Sequence, residues 1–177
     1  MPSCFLTSTF GGSNCDFNVA GVNRIAVIGY EKVSGYTATS GGTKITGISI
    51  TDSSKFNEIF AAEDSAGYTD EYTRQGSNRF MTQTLNFTVS DNTESGLEKA
   101  HSLLLGKHIA LVERKNGTWR VLGLQNGLQS SAGTDGSGTA AGDEAGKTFT
   151  LTSLNKGYSP IIESSLAKSL INSAISL

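Results

Sequence analysis

The stretch HIALVERKNGTWRVLGL, residues 108–124, does most to limit what this chain can become. Two apolar-rich segments flank Asn116-Gly117, and Asn-Gly is the dipeptide that most readily supplies the two positive φ angles of a type I′ turn. An antiparallel β-hairpin is expected there. A second Asn-Gly, Asn126-Gly127, follows the returning strand. Composition agrees with a turn-rich β protein: Gly takes 21 of 177 positions, against an average usage of about 7%, and Pro only 2.

Further strands are expected at 23–33 (NRIAVIGYEKV), 43–50 (TKITGISI), 79–89 (RFMTQTLNFTV) and 147–154 (KTFTLTSL). In the third, Leu85, Phe87 and Val89 alternate with polar residues, the period of two that puts side chains on one face of a strand. In the fourth, Phe149 and Leu151 alternate with threonines. Two helices interrupt this pattern. Ser95 and Glu98 form a capping box, Leu97, Ala100, His101 and Leu104 share a helical face, and Gly106 is a terminator. Ser159-Pro160 reads as a cap followed by a first-position proline, and Ile162, Leu166, Leu170 and Ala174 recur every four residues beyond it.

Two segments are irregular. Residues 54–78 fit either a helix (Phe56, Ile59, Phe60) or a strand (Phe56, Glu58, Phe60) at first, then turn acidic and aromatic with Glu63, Asp64, Tyr68, Asp70, Glu71 and Tyr72. A loop of that length inside a domain usually binds something or is disordered. Residues 130–146, SSAGTDGSGTAAGDEAG, read as an exposed mobile loop on composition.

Several function classes find no support. The formal net charge is −2 with 17% charged residues, so no basic excess marks a nucleic-acid surface. No run of about 20 apolar residues marks a membrane span. The start, MPSCFLTSTFGG, lacks a basic region and a long apolar core, so it is not a secretory signal, and synthesis in a reducing cytosol is expected. Cys4 and Cys15 are too few and too far apart for a zinc cage or a CxxC pair; a disulfide between them would need an oxidising compartment.

Residues 141–148 satisfy a relaxed P-loop pattern ending in Gly146-Lys147-Thr148. A phosphate cradle needs a strand before it and a helix N-terminus after it. Here TFTLTSL alternates as a strand, and Asp143 and Glu144 would oppose phosphate charge, so we read the segment as a loop. Asp135, Ser137 and Thr139 follow the rhythm of a calcium loop, but the twelfth position, which should be Glu, is Gly146. His101 and His108 form no HExxH arrangement, and no G-x-S-x-G elbow occurs. No catalytic, cofactor or metal residues are assigned.

The order of segments nonetheless resembles a known family. Carrying it are SCFLTSTFGGSNCDFNVAGVNRIAVIGYEKV, then KFNEIFAAEDSAGYTDEYTRQGSNRFMTQTLNFTV, then LEKAHSLLLGKHIALVERKNGTWRVLGLQNGL, and last SAGTDGSGTAAGDEAGKTFTLTSL. Together they resemble the tail-tube-like structural proteins of tailed bacteriophages of the Bacteroidetes type. The resemblance implies a mainly β fold, an antiparallel barrel or sandwich with a helix packed outside at about 95–105. It implies rings of identical subunits, hexamers by analogy, that stack into a conduit for DNA passing without specific binding, inside a virion tail assembled in the host cytoplasm. No cofactor and no membrane partner are implied.

A family member grips the adjacent subunit or ring with a long loop between early strands. By position that loop is 56–78, which makes Phe56, Ile59, Phe60, Tyr68 and Tyr72 the expected interface residues. A C-terminal helix at about 160–176 departs from a simple tube subunit. It divides the chain into a β domain with an N-terminal arm, 1–158, and a helical arm, 159–177, that would dock on a neighbour or another tail component through Leu166, Leu170 and Ile171. A tube, ring, hub or connector role all fit. A monomeric β-sandwich binding module offering Trp119 as an aromatic platform, or a capsid-decorating protein, is the alternative, and a nucleotide-binding protein using Lys147 a remote one.

Overall fold

A strand that is apolar on both faces has to be covered on both. Two strands here have that character: β1 (Val22–Gly29), whose Ile25–Ile28 are all buried, and β7 (Lys107–Arg114), whose Ile109–Val112 are all buried. They pair antiparallel, with Ile25 opposite Val112, Ala26 opposite Leu111, Val27 opposite Ala110 and Ile28 opposite Ile109. Opposed residues share a face, so the pair sends Ile25, Val27, Ala110 and Val112 into one core and Ala26, Ile28, Ile109 and Leu111 into another. The computed structural model that shows this describes residues 19–139 and 145–172; Cys4, Cys15 and Ala174 lie outside the described residues.

Each core is closed mainly by its own elements. The first takes Leu85 and Phe87 from β6 (Asn78–Val89), Leu128 from β9 (Leu128–Gly136), Phe149 and Leu151 from β10 (Gly146–Asn155), and Ala100 and Leu103 from α1 (Glu94–Leu105). The Phe87 and Phe149 rings pack at 5.4 Å between centroids. The second takes Ile45 from β3 (Lys44–Ile50), Phe56 from β4 (Phe56–Ile59), Trp119 and Val121 from β8 (Trp119–Leu122), and Leu124. The C-terminal stretch completes it with Ile162 of β11 (Ile161–Ile162), Ala167 of α2 (Ser164–Leu170) and Ile171 of β12 (Ile171–Asn172). Strands β8 and β4 serve both cores, with Leu122 and Ile59 on the first side.

The sheet forks at β7. Its one edge pairs with β1 throughout; along the other, Lys107 and His108 pair with β9 while Ala110–Glu113 pair with β8. One arm continues β8–β11–β3–β2, with β2 spanning Val33–Ala38, and the other β9–β10–β6–β5, with β5 spanning Gly67–Gln75; β4 and β12 extend the sheet beyond β1. The fork turns on Gly123. Its φ is +74°, and a Cβ there would lie 2.8 Å from the Leu128 nitrogen and 2.9 Å from the His108 carbonyl oxygen. Its own N–H donates to Gln83 Oε1 at 2.9 Å.

The expected mainly β fold with a packed helix is present, but the sheet is open, not a closed barrel. Local details depart from expectation for identifiable reasons. The 108–124 hairpin forms without a type I′ turn: Gly117 N donates to Arg114 O at 2.8 Å and Arg114 N to Thr118 O at 2.9 Å, which makes a three-residue loop. Only Gly117 of the Asn-Gly pair has positive φ, because Asn116 Oδ1 instead accepts from Thr118 N at 3.1 Å. Helix α1 is capped two residues earlier than Ser95, by Thr93 Oγ1 accepting from Gly96 N at 3.0 Å. Its buried face is accordingly Gly96, Ala100 and Leu103, and Leu97, His101 and Leu104 are exposed.

Over their described residues the two supposed loops are mostly strand, while 140–144 lie outside the described residues. Residues 67–75 are β5, and 128–136 are β9, whose Gly136 and Asp135 pair with Gly146 and Lys147. Glycine suits that strand because Leu104 of α1 leans on it: a Cβ at Gly133 would lie 2.7 Å from Leu104 Cδ2.

The long C-terminal helix is replaced by strand, short helix and strand. Ser159, the expected cap, is buried and donates through its N–H (2.9 Å) and Oγ (2.6 Å) to Asp70 Oδ2, while its carbonyl accepts from Arg120 Nη1 at 2.8 Å. Held this way, the chain enters the sheet, with Val121 N donating to Pro160 O at 3.0 Å and Ile161 N to Thr43 O at 2.8 Å.

Two outcomes follow. Gly123→Ala adds a Cβ against backbone at a left-handed position and should lower unfolding free energy by at least about 2 kcal/mol in urea titrations. A chain ending at Pro160 loses Ile162, Ala167 and Ile171 from the second core, so cooperative thermal unfolding should disappear from its calorimetric trace.

Candidate functional site

The eight residues expected to form an interface do not meet on one surface. Phe56 is 0% and Ile171 4% exposed, and they are opposite one another in the parallel β4–β12 pairing, inside the second core of their own chain. Leu166 and Leu170 pack against that same core, and Ile59 and Tyr68 against the first. Only Phe60, 61% exposed just after β4, and Tyr72, 54% exposed on β5, present large apolar surface. Phe56, four residues before Phe60, is buried because β4 inserts between β1 and β12 instead of looping out.

Tyr72 stands on a free strand edge. Among the described residues β5 pairs with β6 alone, and β2 likewise pairs with β3 alone at the end of the other arm. Pairing of Tyr68, Asp70 and Tyr72 with Leu85, Gln83 and Met81 turns those residues toward the core side. The opposite face carries Thr69 and Glu71, paired with Thr84 and Thr82. It continues across β6 into β10, where Thr148, Thr150 and Thr152 oppose Thr88, Asn86 and Thr84. This produces a broad face of hydroxyl and amide groups.

A cleft of about 1120 Å³ lies between α1 and the β4 side, walled by Val27, Ile59, Phe87 and Leu103 and holding His108 and Lys147. Lys147 belongs to β10 and not to a helix N-terminus. It is 7% exposed, donates to the Asp91 carbonyl at 2.8 Å and lies 3.7 Å from Asp135 Oδ2. Its ammonium is therefore committed to the β9–β10 hairpin and to the loop before α1. Asp91 caps that loop, accepting from Thr93 N at 3.0 Å and Thr93 Oγ1 at 2.7 Å; these bonds hold its carboxyl below the usual range. Asp135, the first residue of the calcium-like spacing, is the partner of Lys147, and no group of three or more metal-ligating side chains occurs among the described residues.

His108 Nε2–H donates to the Leu103 carbonyl at 3.1 Å. Burial pushes its pKa down, and the backbone carbonyls of Leu103 and Ser102 only partly offset this. The imidazole is thus a neutral tie between β7 and the end of α1.

Trp119 is not a platform. It is 1% exposed, with the Arg24 guanidinium 5.6 Å from its ring, and Arg24 is held by Glu58 through bonds of 2.6 and 3.1 Å. An aromatic hollow that sequence reasoning missed lies elsewhere, where exposed Tyr36 and half-buried Tyr30 and Phe80 converge with Arg79 and Lys156. Those residues come from four separate segments, and the only local signal was a pair of arginines flanking the turn RQGSNR, residues 74–79.

Compared with family models, with curated proteins and with solved structures, the chain matches none. Among the described residues no helix is long and apolar enough to cross a membrane.

The His108 environment has a pH signature. Its folded pKa lies below the unfolded value of about 6.5, so between the two the unfolded chain binds the extra proton. The stability this group allows is complete above about pH 6.5 and falls as pH drops toward the folded pKa. His108→Gln should flatten the stability profile between about pH 5 and 6.5 in denaturant titrations, a window above ordinary carboxylate titration.

Proposed function

We propose that this chain is a non-enzymatic virion structural protein that assembles with copies of itself into rings forming part of a phage tail. The observation that carries this reading is the open sheet, which among the described residues leaves β2 and the nine-residue β5 each paired on one side alone. Exposed edges are templates for pairing with another chain. Two dissimilar edges on one molecule favour head-to-tail contacts, which close into a ring when the rotation between subunits allows it. The resemblance in segment order points the same way and makes a hexamer the reference stoichiometry. The polar face continued across β5, β6 and β10 suits a wall past which DNA slides, because without neutralised phosphates there is little counterion release to hold it.

The structure changes how assembly would work. The edge strand itself, with Tyr72 and Glu71, replaces the long gripping loop as the contact element. The C-terminal residues serve the chain's own second core, which leaves Leu166 and Leu170 as supports for the fold and not as docking residues.

Light scattering and negative-stain electron microscopy of the concentrated protein test this. Rings or stacked rings are expected, and Tyr72→Lys, which places a charge at the free edge, should leave a folded chain of monomer mass. A monomer at every concentration, unaffected by Tyr72→Lys, would mean a solitary β module instead.

A further inference from the structure

The turn between β5 and β6 places Arg74 directly opposite Arg79. Like charges opposed across strands destabilise a sheet. Neither arginine has a salt-bridge partner among the described residues, and nor has Lys156. Three cations are therefore gathered, uncompensated, at one corner of a chain whose net charge is −2.

The same corner is concave and aromatic. Arg79 and Lys156 line a hollow of about 500 Å³ together with Tyr30, Tyr36, Phe80 and Leu154, and no carboxylate lines it among the described residues. Tyr36 and Leu154 are exposed, and Tyr30 is fixed by its hydroxyl donating to the Gln125 carbonyl at 2.6 Å. Each of the amides around the rim has a side-chain atom tied to the fold. Gln125 Oε1 accepts from Lys156 N at 2.8 Å, Asn126 Nδ2 donates to the Leu154 carbonyl, and Asn155 Nδ2 donates to Ser153 Oγ at 3.1 Å. The hollow chiefly offers a ligand positive charge and ring faces.

We propose that this corner binds a nucleotide unit, its phosphate held by Arg79 and Lys156 and its base stacked on the aromatic rings, without preference among the bases. Stacking on aromatic side chains beside a cationic track is how single strands are held irrespective of sequence. A duplex keeps its bases stacked on one another and offers only phosphate. The site goes beyond the ring reading and does not depend on it.

Fluorescence anisotropy of a short labelled oligothymidylate tests the site. The full chain should bind it in low salt, with affinity falling at a log–log slope of about −0.7, the value for one phosphate of a single strand. Oligomers of the other bases should bind within a fewfold. Arg79→Gln and Tyr36→Ala should each weaken binding by roughly tenfold, whereas Lys99→Gln, on α1 beside the other cleft, should not. Displacement by thymidine monophosphate marks a free nucleotide as the source, and resistance to it marks a strand; either supports the site. Absence of binding, a duplex bound as tightly as the single strand, or equal loss in Lys99→Gln would overturn it. Arg79→Gln should also melt no lower than the parent, since it relieves the opposed arginines; a lower melting temperature would make Arg79 a structural residue and overturn the assignment.

Discussion

The antiparallel contact between β1 and β7 is a wall with a core on each side, and every other element is placed by the face of that wall it covers. Fully burying one aliphatic side chain contributes about 1.5–3 kcal/mol, and the pair buries alternate residues in opposite directions along its whole middle. Neither core can be built first and lent to the other. Helix α1 and strands β6, β9 and β10 find their apolar partners on one side, β3 and the C-terminal segment on the other, and β4 and β8 reach both. The fork at Gly123 follows from this arrangement. A strand that borders two cores needs two different sets of neighbours, and only a glycine lets the chain turn tightly enough to supply both along one edge.

Much of this was legible in short stretches. The runs around Ile25–Ile28 and Ile109–Val112, the alternation of β6 and β10, the Asn-Gly hairpin and the α1 segment are all local signals, and each produced an element at nearly the expected position. Errors came where a distant partner decided. The repeat of Ile162, Leu166 and Leu170 has helical spacing, yet Ser159 is claimed by Asp70, 89 residues away, and its neighbours are drawn into the sheet. Composition marked 130–136 as a loop, but strand preference reflects what lies across and above the strand more than the residue itself. There β10 lies across and Leu104 above.

Sites were less legible than elements, for the same reason. Phe56 and Tyr72 look alike in an acidic-aromatic segment; one fills a core and the other stands on an edge, and only the insertion of β4 between β1 and β12 separates them. Lys147 drew attention as part of a phosphate-loop pattern, and its actual work is to tie Asp91 to the start of β10. The aromatic hollow was invisible because Tyr30, Phe80 and Lys156 share no sequence neighbourhood. The reading that Lys147 precedes a strand, in contrast, needed only the alternation of TFTLTSL and agrees with the structure.

The wall has a temporal consequence. Ile25 meets Val112, and β4 meets β12 still later, so the contacts that define this molecule have large sequence separation. Such topologies pay loop-closure entropy before they are rewarded and fold slowly. On a ribosome adding about 5–20 residues per second, β1 would wait roughly 4–17 s for its partner to be made, and longer for it to clear the exit tunnel. Throughout that interval a strand apolar on both sides lacks the partner strand that completes both of its cores. The nascent chain is thus most sticky in its first half, and the yield of folded protein depends on what shields Ile25–Ile28 until β7 arrives.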